Sequence, residues 1–568
     1  MKLILKEYLA SLKERGELDI ILPDLLSQMG LNVFIEPSRG FKEYGVDVAA
    51  VGCLDGGVEK VYLFSVKEKN LTRSTWKGDS EQSLRWSLDE IQDSFIESRM
   101  PPEHKSKPVV ICLCFGGHIS TGVRQDVSGY IRRQSRESLS FEEWNGDKLA
   151  DLILTHMFTE ALLPFGWQPI LHKSLVLIDK PIESKEYFSL LLQFIFDKDE
   201  TSLDTINKIR QVNLALWLLF SRCRDEKNLE AAYLSAEYTL ILLWRSVKSD
   251  LKQKNIQRIF ESLLKTYHTI SGAYLEKSIF PFVDKKHAIS QLVSAPCSIS
   301  INLKLFDILG RLAIKGQWLL HELSERYKQD ENQEYLELEE SLRKIKWAIR
   351  ELVINNPLVL SPYKDEQAID LAMALHLLYQ DSRDDGFAES WLDALVERVT
   401  FSYVTNGMYP TNLYTYEQLL DHRNKEKQDS SYKESVTKAS ILYPVLTVFC
   451  ELYGREEAAI RLEDFSKEDL KHCTLQYWYP NEASEEYLFS GADQHGVATT
   501  DFPINGKAAL EHVEEESQYS NFFWELSAVK QGYLPLVLMA CRHYRYPVPF
   551  NLLFPERSKT NNREVDNT

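Results

Sequence analysis

The chain has 568 residues, 44% of them hydrophobic and 26% charged, and a formal net charge of −18. That length exceeds a single core and predicts at least two domains, and the composition is that of a folded globular protein. The acidic excess excludes a protein that coats nucleic acid by bulk electrostatics, although a local basic rim can still act within a Debye length.

No run approaches the apolar length of a membrane span, and the acidic first thirty residues, with Glu7, Glu14, Glu17 and Asp19, resemble no signal peptide. A cytoplasmic protein that makes no membrane contact is expected. The eight cysteines form no CxxC pair, which predicts reduced, mostly buried thiols. Cys112-x-Cys114 lies inside an apolar run and reads as core rather than as a metal site.

The first 165 residues alternate helix and strand signals. Glu17 to Met29 predicts a helix stopped by Gly30, with Pro23 as a kink or a fresh start. Leu31 to Ile35 predicts a strand. Val46 to Val51, the turn Leu54-Asp55-Gly56-Gly57, and Val58 to Lys67 predict a hairpin. Ser80 to Arg99 carries Leu84, Leu88, Ile91 and Phe95 at helical spacing. Val109 to Phe115 is continuously apolar and predicts a buried central strand, followed by a helix over Thr121 to Gln134. Ser140 to Leu154 reads as a short strand or loop leading into a closing helix. The order of helix, three strands, helix, strand and helix defines a small α/β layer domain over 1–165.

From about Glu183 to Phe465 helical periodicity dominates, so 166–465 is expected to be a helical bundle or an irregular helical-repeat domain, without a fixed period. Tyr335, Leu338, Leu342, Ile345, Ile349 and Leu352 make an apolar seam too short for an autonomous coiled coil, and it reads as bundle packing. A mixed region over 466–555 and a disordered tail over 556–568 complete the expected organisation.

The chemistry-bearing residues cluster between Gly45 and Glu81. A hairpin brings Asp47, near the start of one strand, beside Lys67, at the end of the next. Metal-assisted phosphodiester hydrolysis needs carboxylates to hold the ion and a cation to steady the phosphate or the attacking water.

On Gly45-Val46-Asp47-Val48, Ser65-Val66-Lys67 and the surrounding element order, residues 15 to 160 resemble the PD-(D/E)XK, or restriction-endonuclease-like, nuclease superfamily. The resemblance implies a metal-dependent endonuclease using magnesium or manganese, with Asp47 as a ligand and Lys67 assisting the water. The position of the family's glutamate is held here by Ser65, a weak ligand. Some restriction enzymes of the superfamily supply the missing carboxylate from the following helix, and Glu81 is the candidate for that role. Glu81 also suits a helix N-terminus on electrostatic grounds alone, and Asp79 suits its N-cap. Glu36 is a further candidate ligand, whereas Glu68 is expected on the other side of its strand.

Lys69, Arg73, Lys77 and Arg85, then Arg124, Arg132, Arg133 and Arg136, are the candidate rim for nucleic acid, DNA favoured, although for any one of them taken singly a solvated surface charge is the favoured reading. The architecture resembles effectors of bacterial restriction and anti-phage defence. It would call for an ATPase or sensor protein as partner, since the chain has no Walker loop, and double-strand cutting would favour a homodimer. Two readings compete with the nuclease: a catalytically degenerate nuclease-like module that binds nucleic acid or protein, and a helical scaffold with an α/β appendage.

Overall fold

The computed structural model describes residues 2–12, 18–36, 44–54, 57–77, 83–157, 167–196, 202–293, 297–326, 333–380, 386–425, 428–491 and 495–554. The chain divides into two compact units, Met1–Thr239 with Ser249–Ile270, and Leu240–Lys248 with Ser271–Thr568.

The first unit is built on a five-stranded mixed sheet in the order β1 (Asn32–Ile35), β2 (Val48–Gly52), β3 (Lys60–Lys67), β4 (Val109–Phe115) and β5 (Leu139–Trp144). The first three strands form an antiparallel meander, and β3, β4 and β5 run parallel. Parallel neighbours require crossovers, and the helices that follow β3 and β4 provide them. Those helices are α3 (Arg73–Lys77) and α4 (Leu84–Glu90) after β3, and α5 (Thr121–Gln134) after β4. Beyond Glu90 the predicted long helix continues to Arg99 with π-helical turns rather than as a regular α-helix.

Strand alternation sorts the core into two faces. Ala49, Val51, Val61, Leu63, Ile111, Leu113 and Phe115 pack with Leu84, Leu88 and Ile91 of the α4 segment and with Val123, Val127 and Tyr130 of α5. Phe64, Val66, Cys112 and Cys114 point to the opposite face, where α6 (Gly146–His156) closes the layer after β5. β4 is buried along its whole length because helices cover both its faces, which is why its sequence shows no polar alternation. Cys112 and Cys114 are fully buried there as core residues, and burial pushes both thiols up.

Two helices precede the sheet: α1 (Lys2–Ser11), which sequence reading passed over, and α2 (Asp19–Gln28). Pro23 lies inside α2. Helices α7 (Trp167–Val176), α8 (Pro181–Phe196) and α9 (Ser202–Asp225), with the first part of α10 (Glu230–Val247) and most of α11 (Lys254–Tyr274), belong to this first unit.

The second unit is mainly helical. Its longest helix, Ser298–Arg326, packs against Gln333–Asn355, Ala368–Tyr379 and Leu534–Tyr544. Leu342, Ile345, Ile349 and Leu352 of the predicted seam are buried in that packing. Two short two-stranded sheets add the mixed character near the C-terminus, Ala439–Ser440 with Thr474–Leu475 and Tyr477–Tyr479 with Val497–Thr499. Among the described residues no helix is long and apolar enough to cross a membrane. The expected tail lies outside the described residues.

Candidate functional site

In open α/β sheets the crevice at the carboxyl ends of parallel strands is where ligands bind, because the loops and helix N-termini converge there. Here that end is formed by Lys67 of β3 and Phe115 of β4, which are paired in register. β2 runs antiparallel to β3, so its first residues lie at the same end, and the register of Val48 with Phe64 sets Asp47 opposite Ser65.

The backbone amide of Asp47 donates to the carbonyl of Phe64 at 2.9 Å, carrying the ladder one residue beyond β2. Its side-chain Oδ2 accepts from the amide of Val66 at 2.6 Å. Val66 lies between Ser65 and Lys67, so the carboxylate is anchored on the backbone that carries both. This bond to a charged acceptor is short and fixes the side chain in place.

Strand alternation sends Ser65 and Lys67 to the face covered by α4. Ser65 is fully buried and its Oγ has no hydrogen-bond partner among the described residues. An unsatisfied hydroxyl in such a place costs about 1–3 kcal/mol, a cost that a bound group could relieve. Lys67 is also buried, at 8% exposure.

The loops that follow β3 and β4 are knitted together beneath these residues. Gly117 N donates to Lys69 O at 2.9 Å, Leu71 N to His118 O at 3.0 Å, and Ser120 N to Leu71 O at 3.0 Å. The Asn70 Oδ1 accepts from His118 N at 3.0 Å. Lys69 adopts the left-handed region at φ 57, and a Cβ on Gly117 would fall 2.1 Å from Asn70 Oδ1. Gly116 and Gly146 are equally confined, against Leu9 O at 1.8 Å and Gly116 O at 2.1 Å. Three glycines therefore let α1, the β4 loop and the start of α6 meet backbone to backbone at this end of the sheet. The sequence patterns assign neither Gly116-Gly117 nor Asn70 to the site. Asn70, a residue type that favours tight turns, was the available signal.

The other residues singled out from sequence lie as follows. Glu36 leaves β1 and pairs with Arg258 of α11, Oε1 to Nη2 at 3.0 Å. It belongs to a charged group with Asp24 and Arg210, whose closest approach is 3.6 Å. Burial pushes the Asp24 carboxyl up to about 6, against the attraction of Arg210. Lys69 pairs with Glu68 at 3.3 Å. Arg73 and Lys77 of α3 are exposed, and Arg85 lies 5.7 Å from the Tyr130 ring centroid and 3.9 Å from Asp89. Glu81 and Asp79 lie outside the described residues.

Among the described residues no group of three or more His, Cys, Asp or Glu side chains is assembled to hold a metal ion. The described part of the site thus supplies one carboxylate, Asp47, beside a buried hydroxyl. Magnesium binds through as few as one or two carboxylates when substrate phosphate and water complete its shell, so this donor set meets the lower limit for that ion.

The second unit carries a groove of about 260 Å³ bordered by Lys364, Glu366, Tyr414 and Arg545. Its charges are matched internally, with Lys364 Nζ 2.6 Å from Glu366 Oε1 and Arg545 Nη1 3.4 Å from Asp370 Oδ2. No protein-family model, curated protein or solved structure matches this chain.

Proposed function

We propose that the first unit is a metal-dependent endonuclease of the restriction-endonuclease-like kind, hydrolysing nucleic-acid phosphodiesters with DNA favoured, and that the helical second unit senses a signal or recruits a partner. The observation that carries this reading is the anchoring of the Asp47 carboxylate on the amide between Ser65 and Lys67, at the carboxyl end of the parallel strands. Asp47 and Glu81 would hold magnesium or manganese, with the unsatisfied Ser65 hydroxyl beside them. Such an ion polarises the scissile phosphate and lowers the pKa of bound water.

The residues' own contributions follow from their placement. Lys67 presents a cation from a buried stem, where the low dielectric strengthens its pull on a phosphate oxygen. The loops at 67–72 and 115–121 are joined by backbone hydrogen bonds that restrain the ends of the strands carrying Lys67 and Phe115. A role as an effector of bacterial restriction or anti-phage defence, with a separate ATPase or sensor partner or as a homodimer, is consistent with a nuclease joined to a large helical region. That part of the proposal rests on architecture.

A second reading, a nuclease-like module that binds without cutting, is favoured by the lack, among the described residues, of any group of three or more His, Cys, Asp or Glu side chains placed to hold a metal ion. The deciding experiment incubates the full chain with plasmid, single-stranded DNA and RNA, with and without magnesium or manganese. Metal-dependent cutting that falls about 100-fold or more in Asp47→Ala, Lys67→Ala and Glu81→Ala supports the nuclease. Loss in the first two variants only moves the second ligand away from Glu81. Nucleic-acid binding without cutting, under every metal condition, selects the binding module.

A further inference from the structure

The outer face of α5 is a ridge of arginines in a chain that is otherwise strongly acidic. Residues 121–136 contain four arginines and one aspartate. Val123, Val127 and Tyr130 are buried against the sheet, so helical spacing turns Arg124, Gln125, Asp126, Ser128, Arg132 and Arg133 outward, four of the six charged and three of those four basic. Arg136 follows in the exposed turn before β5.

Arg132, Arg133 and Arg136 have no carboxylate within ion-pair distance among the described residues, and Arg124 has only Glu143 at 3.9 Å. Two arginines in the last turn suit the helix dipole. The dipole explains neither Arg124 at the other end nor Arg136 beyond it.

The ridge is tied to the candidate site by the chain itself. α5 starts at the loop that is hydrogen-bonded to the Lys67–Thr72 loop, and it lies on the face toward which Ser65 and Lys67 point. From there it runs away from the site for its fourteen residues, about 20 Å at 1.5 Å per residue. At about 3.4 Å of rise per nucleotide in a strand, that length matches about six nucleotides.

We infer that α5 is a phosphate-backbone track that holds nucleic acid on one side of the scissile position, so that substrates need about six nucleotides of flank on that side. The inference rests on the nuclease reading for the position of the cut, while the binding track itself stands on the arginine placement. Contacts of this kind carry position and affinity without sequence information.

The test uses the full chain carrying Asp47→Ala, to prevent cutting, and measures binding of fluorescent 24-nucleotide single- and double-stranded DNA between 50 and 300 mM salt. Replacing Arg132, Arg133 and Arg136 together by Gln should flatten the slope of log K against log salt by about 2 to 3 and weaken binding at least about tenfold at low salt. The control triple variant, Arg343→Gln with Arg398→Gln and Arg461→Gln in the second unit, removes the same charge from exposed positions and should leave the slope unchanged. Equal slopes in the α5 variant and the wild-type ridge, with binding retained, overturn the track and leave the nuclease reading standing. An equal loss in the control variant overturns it too, as a net-charge effect. Absence of binding to either DNA overturns the track, and metal-dependent cutting by the protein with Asp47 intact then decides the nuclease reading separately.

Discussion

Replacing Asp47 separates its structural role from its chemical one. The carboxylate accepts from Val66 N at 2.6 Å in a partly buried setting. Hydrogen bonds to charged groups contribute about 1.5–3 kcal/mol, and partial exposure places this one near the lower end. Asp47→Ala removes the acceptor and leaves the amide without its partner, so local opening of the β3 end becomes easier by about 1–2 kcal/mol, a factor of about 5–30. Asp47→Asn keeps an amide oxygen of the same shape in reach of Val66 N but removes the charge a metal needs.

Hydrogen exchange of the β3 segment, resolved to Val66 by fragmentation mass spectrometry, reads the first effect, and metal-dependent cleavage reads the second. Asp47→Ala should exchange faster at Val66 and lose cutting. Asp47→Asn should exchange nearly as slowly as the wild type and still lose cutting. Unchanged Val66 exchange in Asp47→Ala would refute the anchoring bond, and wild-type cutting by Asp47→Asn would refute the metal-ligand role.

Three further predictions concern stability. Gly116→Ala places a Cβ 1.8 Å from Leu9 O, a backbone atom that no rotamer change can move, so thermal unfolding of the first unit should shift downward by the upper end of the about 1–3 kcal/mol that overpacking costs. A melting curve identical to wild type would rule out the close approach of α1. Arg542 lies between two carboxylates, with Nη2 2.5 Å from Asp307 Oδ1 and Nε 3.3 Å from Asp370 Oδ1. Although burial pushes the Asp307 carboxyl up, Arg311 and Arg542, with Lys304, hold it well below the usual range. Arg542→Leu should cost the second unit about 3–5 kcal/mol, with the double variant that also carries Asp370→Leu less affected; a single variant as stable as wild type would contradict the pairing.

Burial pushes His376 down to about 4 from its ordinary 6.5. A folded-state pKa below the unfolded value means that the unfolded chain binds more protons between pH 6.5 and 4, so this group's contribution to stability is lost as pH falls through that window, reaching about 3 kcal/mol. Chemical unfolding of wild type and His376→Gln at pH 7 and pH 4.5 should show the difference move in favour of the variant on acidification. The Asp365 carboxyl, pushed up to about 6 by burial, acts in the opposite sense and is common to both proteins. A difference that does not change with pH would remove His376 from the acid response.

The α/β layer was legible because its signals are local. Apolar continuity over Val109 to Phe115 marked a strand covered on both faces, and the 4-3-4 spacing from Leu84 to Phe95 marked the helix over it. The helix Lys2–Ser11 went unassigned although Leu5 and Leu9, one turn apart on it, are buried. The pairing of Asp47 with the Ser65-Val66-Lys67 strand end was also readable, since hairpin connectivity alone makes those ends adjacent.

What sequence could not reach were the partners supplied from far along the chain. Glu36 looked available to a metal, yet Arg258, on a helix more than two hundred residues later, pairs with it. Coulomb attraction depends on distance in space, and no local pattern encodes which distant helix brings its guanidinium to a strand end. The same holds for the bond from Val66 N to Asp47 Oδ2, which depends on strand register, and for the glycines whose need for space appears only when α1 and α6 arrive. By itself the sequence determined the elements, their order and the residue types with chemistry to offer. Tertiary structure decided which of those residues meet, because meeting is a matter of register and packing between segments that sequence separates.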